Sequence, residues 1–132
     1  MPDKVLVDTS VWVDFFRKSH PERHDCVAAL LRDECAVGTG IVALELIRGS
    51  RTEKELRLVM ELFDIIETIH PTPQVYLEAG KTGFQLAQKG LSMSVVDLLI
   101  AQIAMENDLP LFSLDRHFEM IAAHSRLRLF RP

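Results

Sequence analysis

Hydrophobic and polar positions follow two rhythms along this chain. Short apolar runs, closed abruptly by polar residues, recur at KVLVD (4–8), CAVG (35–38), DIIETI (64–69) and LPLFS (109–113). Runs of this length, rich in β-branched residues, predict strands buried on both faces. Between them apolar residues recur three and four apart, the spacing of helices with one buried face. TSVWVDFFRK follows the first strand, with Thr9 and Ser10 as cap-type residues. HPERHDCVAALLRDE reads as a charged loop and then a helix, with Pro21 suited to its first turn and Val27, Leu30 and Leu31 on one face. IVALELIRG places Ile41, Leu44 and Leu46 at helical spacing before Gly49. Thr52 and Glu55 form a capping-box pattern ahead of a clear apolar stripe reaching Phe63.

A longer amphipathic helix runs from Val75 to Lys89 and stops at Gly90. Ser94 caps VVDLLIAQIAMEN, Asp115 to Ala123 forms another helix, and LRLF (127–130) is a candidate terminal edge strand. Strands alternating with helices imply crossover connections, hence a parallel sheet covered on both faces. The expected fold class is α/β, a three-layer α/β/α sandwich with a central parallel sheet, as one domain over residues 1–132. That length is enough for a proper core without staples.

Composition narrows the class. Hydrophobic residues make up 48% and charged residues 26%, the balance of a globular chain, and no apolar run approaches a membrane span. The start, MPDKVLVD, lacks a basic segment leading into a long apolar stretch, so a cytoplasmic location is expected. Cys26 and Cys35 are too few for a disulfide scaffold or a zinc site and suit a reducing compartment. The net charge of −4 does not advertise nucleic acid.

The informative residues are acids placed where acid is costly. Asp8 closes the first strand, Glu45 and Asp97 stand inside apolar helical runs, and Asp115 follows the LFSL segment. Ligands of open parallel sheets gather beyond the carboxyl ends of the strands, where Asp8 and Asp115 fall. Each acid also has an ordinary role open to it. Asp8 and Asp115 suit helix N-caps, Asp97 suits a helix dipole, and Glu45 suits a solvated helix face. As a set, four converging carboxylates repel one another and raise their own pKa values. Arg48 and Arg116 are too few to neutralise them, whereas divalent cations would. Oxygen-only ligands favour Mg²⁺ or Mn²⁺ over zinc, and two such ions support phosphoryl-oxygen chemistry through a metal-activated water. No histidine base is required. His20 and His24 read as loop residues, His117 as a surface helix residue, and Trp12, Phe15 and Phe16 as core.

In VLVDTSVWVDFFR, IVALELIRG and SVVDLLIAQIAMENDLPLFSLDRHFEMIA, and in their order, the sequence resembles the PIN-domain ribonucleases, within them the VapC-type toxins of toxin–antitoxin pairs. The resemblance covers Val5 to about Ala122. It implies a Rossmann-like parallel sheet in the order 3-2-1-4-5 and a Mg²⁺- or Mn²⁺-dependent endoribonuclease. By position it assigns Asp8, Glu45, Asp97 and Asp115 as metal-binding and catalytic residues. Thr9 or Ser10 would add a hydroxyl to the metal-water shell, and Ser113 stands where the family often has Thr. The implied partners are an RNA substrate and a cognate VapB-like antitoxin, with a homodimer and a toxin–antitoxin hetero-oligomer as assemblies and no membrane. Phosphates dominate nucleic-acid affinity, so RNA contacts are expected at Arg48, Arg51 and Arg116, near Arg17, Lys18, Lys54 and Arg57. Two other classes are weaker matches. An aspartyl-phosphate phosphatase would carry D-x-D where Ser10 stands. A non-catalytic Mg²⁺-binding, receiver-like module would carry adjacent acids at the first strand and a lysine after the last.

Overall fold

The computed structural model describes residues 3–132. Strands β1 (Val5–Val7), β2 (Ala36–Thr39), β3 (Glu67–Ile69) and β4 (Leu111–Phe112) form one sheet in the order β3-β2-β1-β4, all neighbours parallel. The helices are α1 (Thr9–Arg17), α2 (Pro21–Arg32), α3 (Gly40–Arg48), α4 (Glu53–Ile65), α5 (Pro73–Gln88), α6 (Val95–Glu106) and α7 (His117–Ala123). Right-handed crossovers put α1 to α4 on one face, because β1, β2 and β3 step in one direction. The chain then steps back past β1 to β4, so α5 and α6 cover the opposite face. The packing agrees: α1 meets α2 and α3, α3 meets α4, and α6 meets α5 and α7. This is the expected layered α/β sandwich.

Burial explains the strand residues. Val5, Leu6 and Val7 are all buried, since helices cover both faces of β1. Helix α6 is apolar nearly all round, with Leu98 and every residue from Ile100 to Met105 buried. Trp12 is fully buried, with Phe15 and Phe16 packed against the core. No helix among the described residues is long and apolar enough to cross a membrane.

Several expectations shift. The fifth strand is reduced to a single parallel bridge between Leu111 and Leu129. Leu111 donates its N–H to Arg128 and accepts from Phe130, but β4 is only two residues long and offers no further ladder. The third strand begins at Glu67, because α4 continues through Ile65. Helix α3 buries Val42 and Leu46 and leaves Leu44 exposed. Thr9 and Ser10 lie inside α1, and Asp8 occupies the N-cap position.

His20 and His24 are not a solvated loop pair. His20 is the N-cap residue of α2 and His24 lies within it, stacked on Phe15 with ring centroids 4.6 Å apart. Arg23 grips Asp14 of α1 through Nε at 3.0 Å and Nη2 at 3.3 Å, and His20 Nδ1 lies 2.7 Å from the same carboxylate. The Arg23 guanidinium, aided by His20, holds the Asp14 carboxyl below the usual range against the opposing effect of burial. The corner between α1 and α2 is thereby fixed by charge as well as by packing.

Candidate metal centre

The chain leaves the sheet toward opposite faces after β1 and after β4, two strands that lie side by side. Such a switch point opens a crevice beyond the strands' carboxyl ends. Asp8 follows β1 directly, and Ser113 and Asp115 follow β4. The Ser10 hydroxyl donates to Asp8 Oδ2 at 2.9 Å and the Ser113 hydroxyl donates to the same oxygen at 2.8 Å. Both hydroxyls also accept from backbone, Ser10 from Leu114 N–H and Ser113 from Asp115 N–H. The two strand ends are thus tied together around Asp8, which is only 5% exposed.

Asp8 makes no side-chain capping bond to α1. Its oxygen serves the strand-end network instead, which sets aside the capping role. Asp115 does form a local turn, accepting the His117 N–H at Oδ1, yet the N-cap position of α7 belongs to Arg116. Glu45 is half-buried rather than solvated. Thr9, the residue after Asp8, donates its hydroxyl to Glu45 Oε1 at 2.8 Å, linking α3 to the start of α1. The hydroxyls of Thr9, Ser10 and Ser113 are therefore engaged by carboxylates and act on them directly.

Asp97 enters from α6. Ser94 caps that helix by accepting the Asp97 N–H, which fixes Asp97 in the first turn at the same edge. Burial, with the charges of Asp115 and Asp8 added, pushes the Asp97 carboxyl above the usual aspartate range. The hydrogen bond with Ser94 and the nearby His117 ring oppose that shift. The effect of Asp115 and Asp8 on Asp97 expresses their proximity to it: a nearby like charge disfavours ionisation.

His117, expected as a surface helix residue, does start α7 with its side chain exposed, but its ring meets the acidic edge. Its Nδ1 lies 3.4 Å from Asp97 Oδ2 and 3.3 Å from Asp115 Oδ1. Asp97, Asp115 and His117 each offer a ligand atom within 4.8 Å of the other two. Its position two residues after Asp115 was the one available signal. Carboxylate oxygens and an imidazole nitrogen gathered at a partly desolvated acidic edge fit a divalent cation.

Glu45 also borders a cavity of about 130 Å³ between α1, α3 and α4, walled by Val13, Phe16, Leu46, Leu58 and Val59. Arg48, Arg51 and Arg116 are all exposed. Arg48 lies one turn beyond Glu45 on α3, and Arg116 adjoins Asp115.

The family model of the PIN domain matches residues 5–123. The chain belongs to the PIN-domain family. It is 29% identical over 119 residues to Ribonuclease VapC1 of Methanocaldococcus jannaschii, covering 89% of this chain and 81% of that one. Its fold is shared with VapBC2 from Rickettsia felis, solved bound to a DNA fragment from their promoter, at a TM-score of 0.79 and 23% identity over 96% of each chain. It is shared too with VapBC-5 of Mycobacterium tuberculosis, a member of the VapBC family of toxin–antitoxin systems. There the TM-score is 0.73 and the identity 21%, over 99% of this chain and 100% of that one.

Proposed function

We propose that the protein is a divalent-cation-dependent endoribonuclease and the toxin of a toxin–antitoxin module. One observation supports this reading: in a PIN-family chain, Asp97, Asp115 and His117 offer ligand atoms within 4.8 Å of one another beside Asp8, and Glu45 is tied through Thr9 to the residue after Asp8. Asp8 and Asp97 are the principal anchors, and Glu45 and Asp115 complete the set. A bound Mg²⁺ or Mn²⁺ supplies neutralisation of the phosphate and acidification of the attacking water. Ser10 and Ser113 hold Asp8 in one orientation, and Thr9 does the same for Glu45. Arg116, next to Asp115 in the chain, and Arg48 and Arg51, which follow Glu45, are exposed and would draw the RNA backbone toward the acidic edge.

The partner reading rests on the relatives, two of which are VapBC proteins. The cavity beside Glu45, apolar in its walls but bordered also by Arg17 and Glu55, would offer a seat for an antitoxin segment. A second, largely apolar groove lined by Tyr76 and Ala79 of α5 and by Val95, Val96 and Leu99 of α6 would suit a homodimer.

The test is cleavage of RNA by the purified protein with Mg²⁺, with Mn²⁺ and with excess chelator. The reading expects cuts with either ion, none with chelator, and products ending in 5′-phosphate and 3′-hydroxyl groups. Cleavage that survives chelation, or 2′,3′-cyclic phosphate ends, contradicts it.

A further inference from the structure

His117 faces the acidic centre with its ring. Its Nδ1 stands 3.3 Å from Asp115 Oδ1 and 3.4 Å from Asp97 Oδ2. Ligand atoms bound about 2.1 Å from an octahedral cation lie roughly 3.0 Å apart along an edge. The two distances from Nδ1 are therefore already close to the spacing of coordination edges, and all three ligand atoms lie within 4.8 Å of one another. The Nδ1 is directed at two carboxylates contributed by different elements, Asp97 at the start of α6 and Asp115 after β4. The ring is not held elsewhere by the core, since the side chain is 55% exposed.

We infer that His117 is a nitrogen ligand of the divalent cation held by Asp97 and Asp115, and that it biases the centre toward Mn²⁺ over Mg²⁺. The inference rests on the cation-dependent reading above and refines it. Mg²⁺ prefers oxygen donors and keeps much of its water, so an added imidazole gains it little. Mn²⁺ takes carboxylate as readily and accepts imidazole more favourably, as transition ions do. A site of carboxylates alone discriminates weakly between the two. Replacing one oxygen by a nitrogen sharpens the discrimination without altering the charge of the carboxylate set. A rival role for the same contacts is a counter-charge, with a protonated ring occupying the place of the cation. The two roles make opposite forecasts for removal of the ring. Loss of a ligand weakens Mn²⁺ selectively, whereas loss of a competing positive charge tightens both ions together.

The experiment is direct binding to the intact protein, with no RNA present. Free Mn²⁺ is followed by electron paramagnetic resonance, and Mg²⁺ affinity is taken from displacement of Mn²⁺. The comparison is between the native protein and His117→Ala, at a half-exposed position where truncation leaves the core intact. The expected result is about a tenfold or greater loss of Mn²⁺ affinity with Mg²⁺ affinity changed less than about threefold, scaled to what ligand-sphere changes typically cost. Nitrogen modulation of the Mn²⁺ electron-spin-echo signal should be present in the native protein and lost in the variant. Equal changes for both ions, or tightening of both, would overturn the assignment while leaving the nuclease reading intact. Failure of the native protein to bind either ion would overturn both.

Discussion

Asp97 experiences burial and like charge together. Its carboxyl is raised by desolvation and by the charges of Asp115 and Asp8, so the folded protein without cations binds a proton there more tightly than the unfolded chain does. Where the native state holds the extra proton, stability falls as pH rises. The Asp97 contribution is fully present below the ordinary value of 3.8 and is lost as pH climbs through the raised one. Cations compete with that proton, so their affinity should rise over the same interval. The expected outcome is that Asp97→Asn melts higher than the native protein at neutral pH in chelator, and that added Mn²⁺ raises the melting temperature of the native protein alone. Calorimetric melting in chelator and in Mn²⁺ reads both. Identical melting of the two proteins in both conditions contradicts the account of Asp97.

The acids were legible at this scale because a carboxylate inside VVDLLIA or IVALELI conflicts with its neighbours, and such a conflict marks a functional position. His117 was not legible in the same way. It lies in a polar stretch where histidine conflicts with nothing, and only the meeting of α6 with the β4–α7 connection brings its ring over Asp97. The hydroxyls were legible as candidates, but their partners were not. Thr9, Ser10 and Ser113 make bonds to carboxylates that depend on tertiary approach.

Among the elements, apolar rhythm located every helix and the four paired strands, and it failed where tertiary pairing decides. Apolar continuity through Ile65 and Ile66 looks the same whether a helix is ending or a strand beginning. LRLF has strand composition, yet beside a two-residue β4 it pairs at Leu129 alone. Close approach between elements was also hidden. A Cβ added at Gly38 of β2 would lie 2.7 Å from Phe63 Cε1 and 2.8 Å from Ile66 Cδ1, so α4 sits directly against the strand's backbone. Gly38→Ala is expected to destabilise the fold by about 1–3 kcal/mol through overpacking. Urea denaturation measures it, and an unchanged midpoint would mean that α4 does not pack this closely.

At the scale of the molecule, the order β3-β2-β1-β4 collects residues from separate parts of the chain at one edge. A net charge of −4 is unsuited to binding phosphate over the whole surface. Attraction for RNA in the proposed nuclease would therefore be confined to a bound cation and to exposed arginines such as Arg116. The receiver-like and phosphatase alternatives share this kind of sheet but lack its acid pattern, since Ser10 is committed to holding Asp8 and Ser113.

The most direct measurement of the central claim is RNA cleavage by Asp97→Asn beside the native protein in the same Mg²⁺ or Mn²⁺, with circular dichroism confirming that both are folded. Loss of one anchoring carboxylate should lower cleavage by at least about a hundredfold, on the scale of removing a principal charge-stabilising group. A folded Asp97→Asn protein that cuts RNA at the native rate would show that the acidic edge is not where the chemistry occurs.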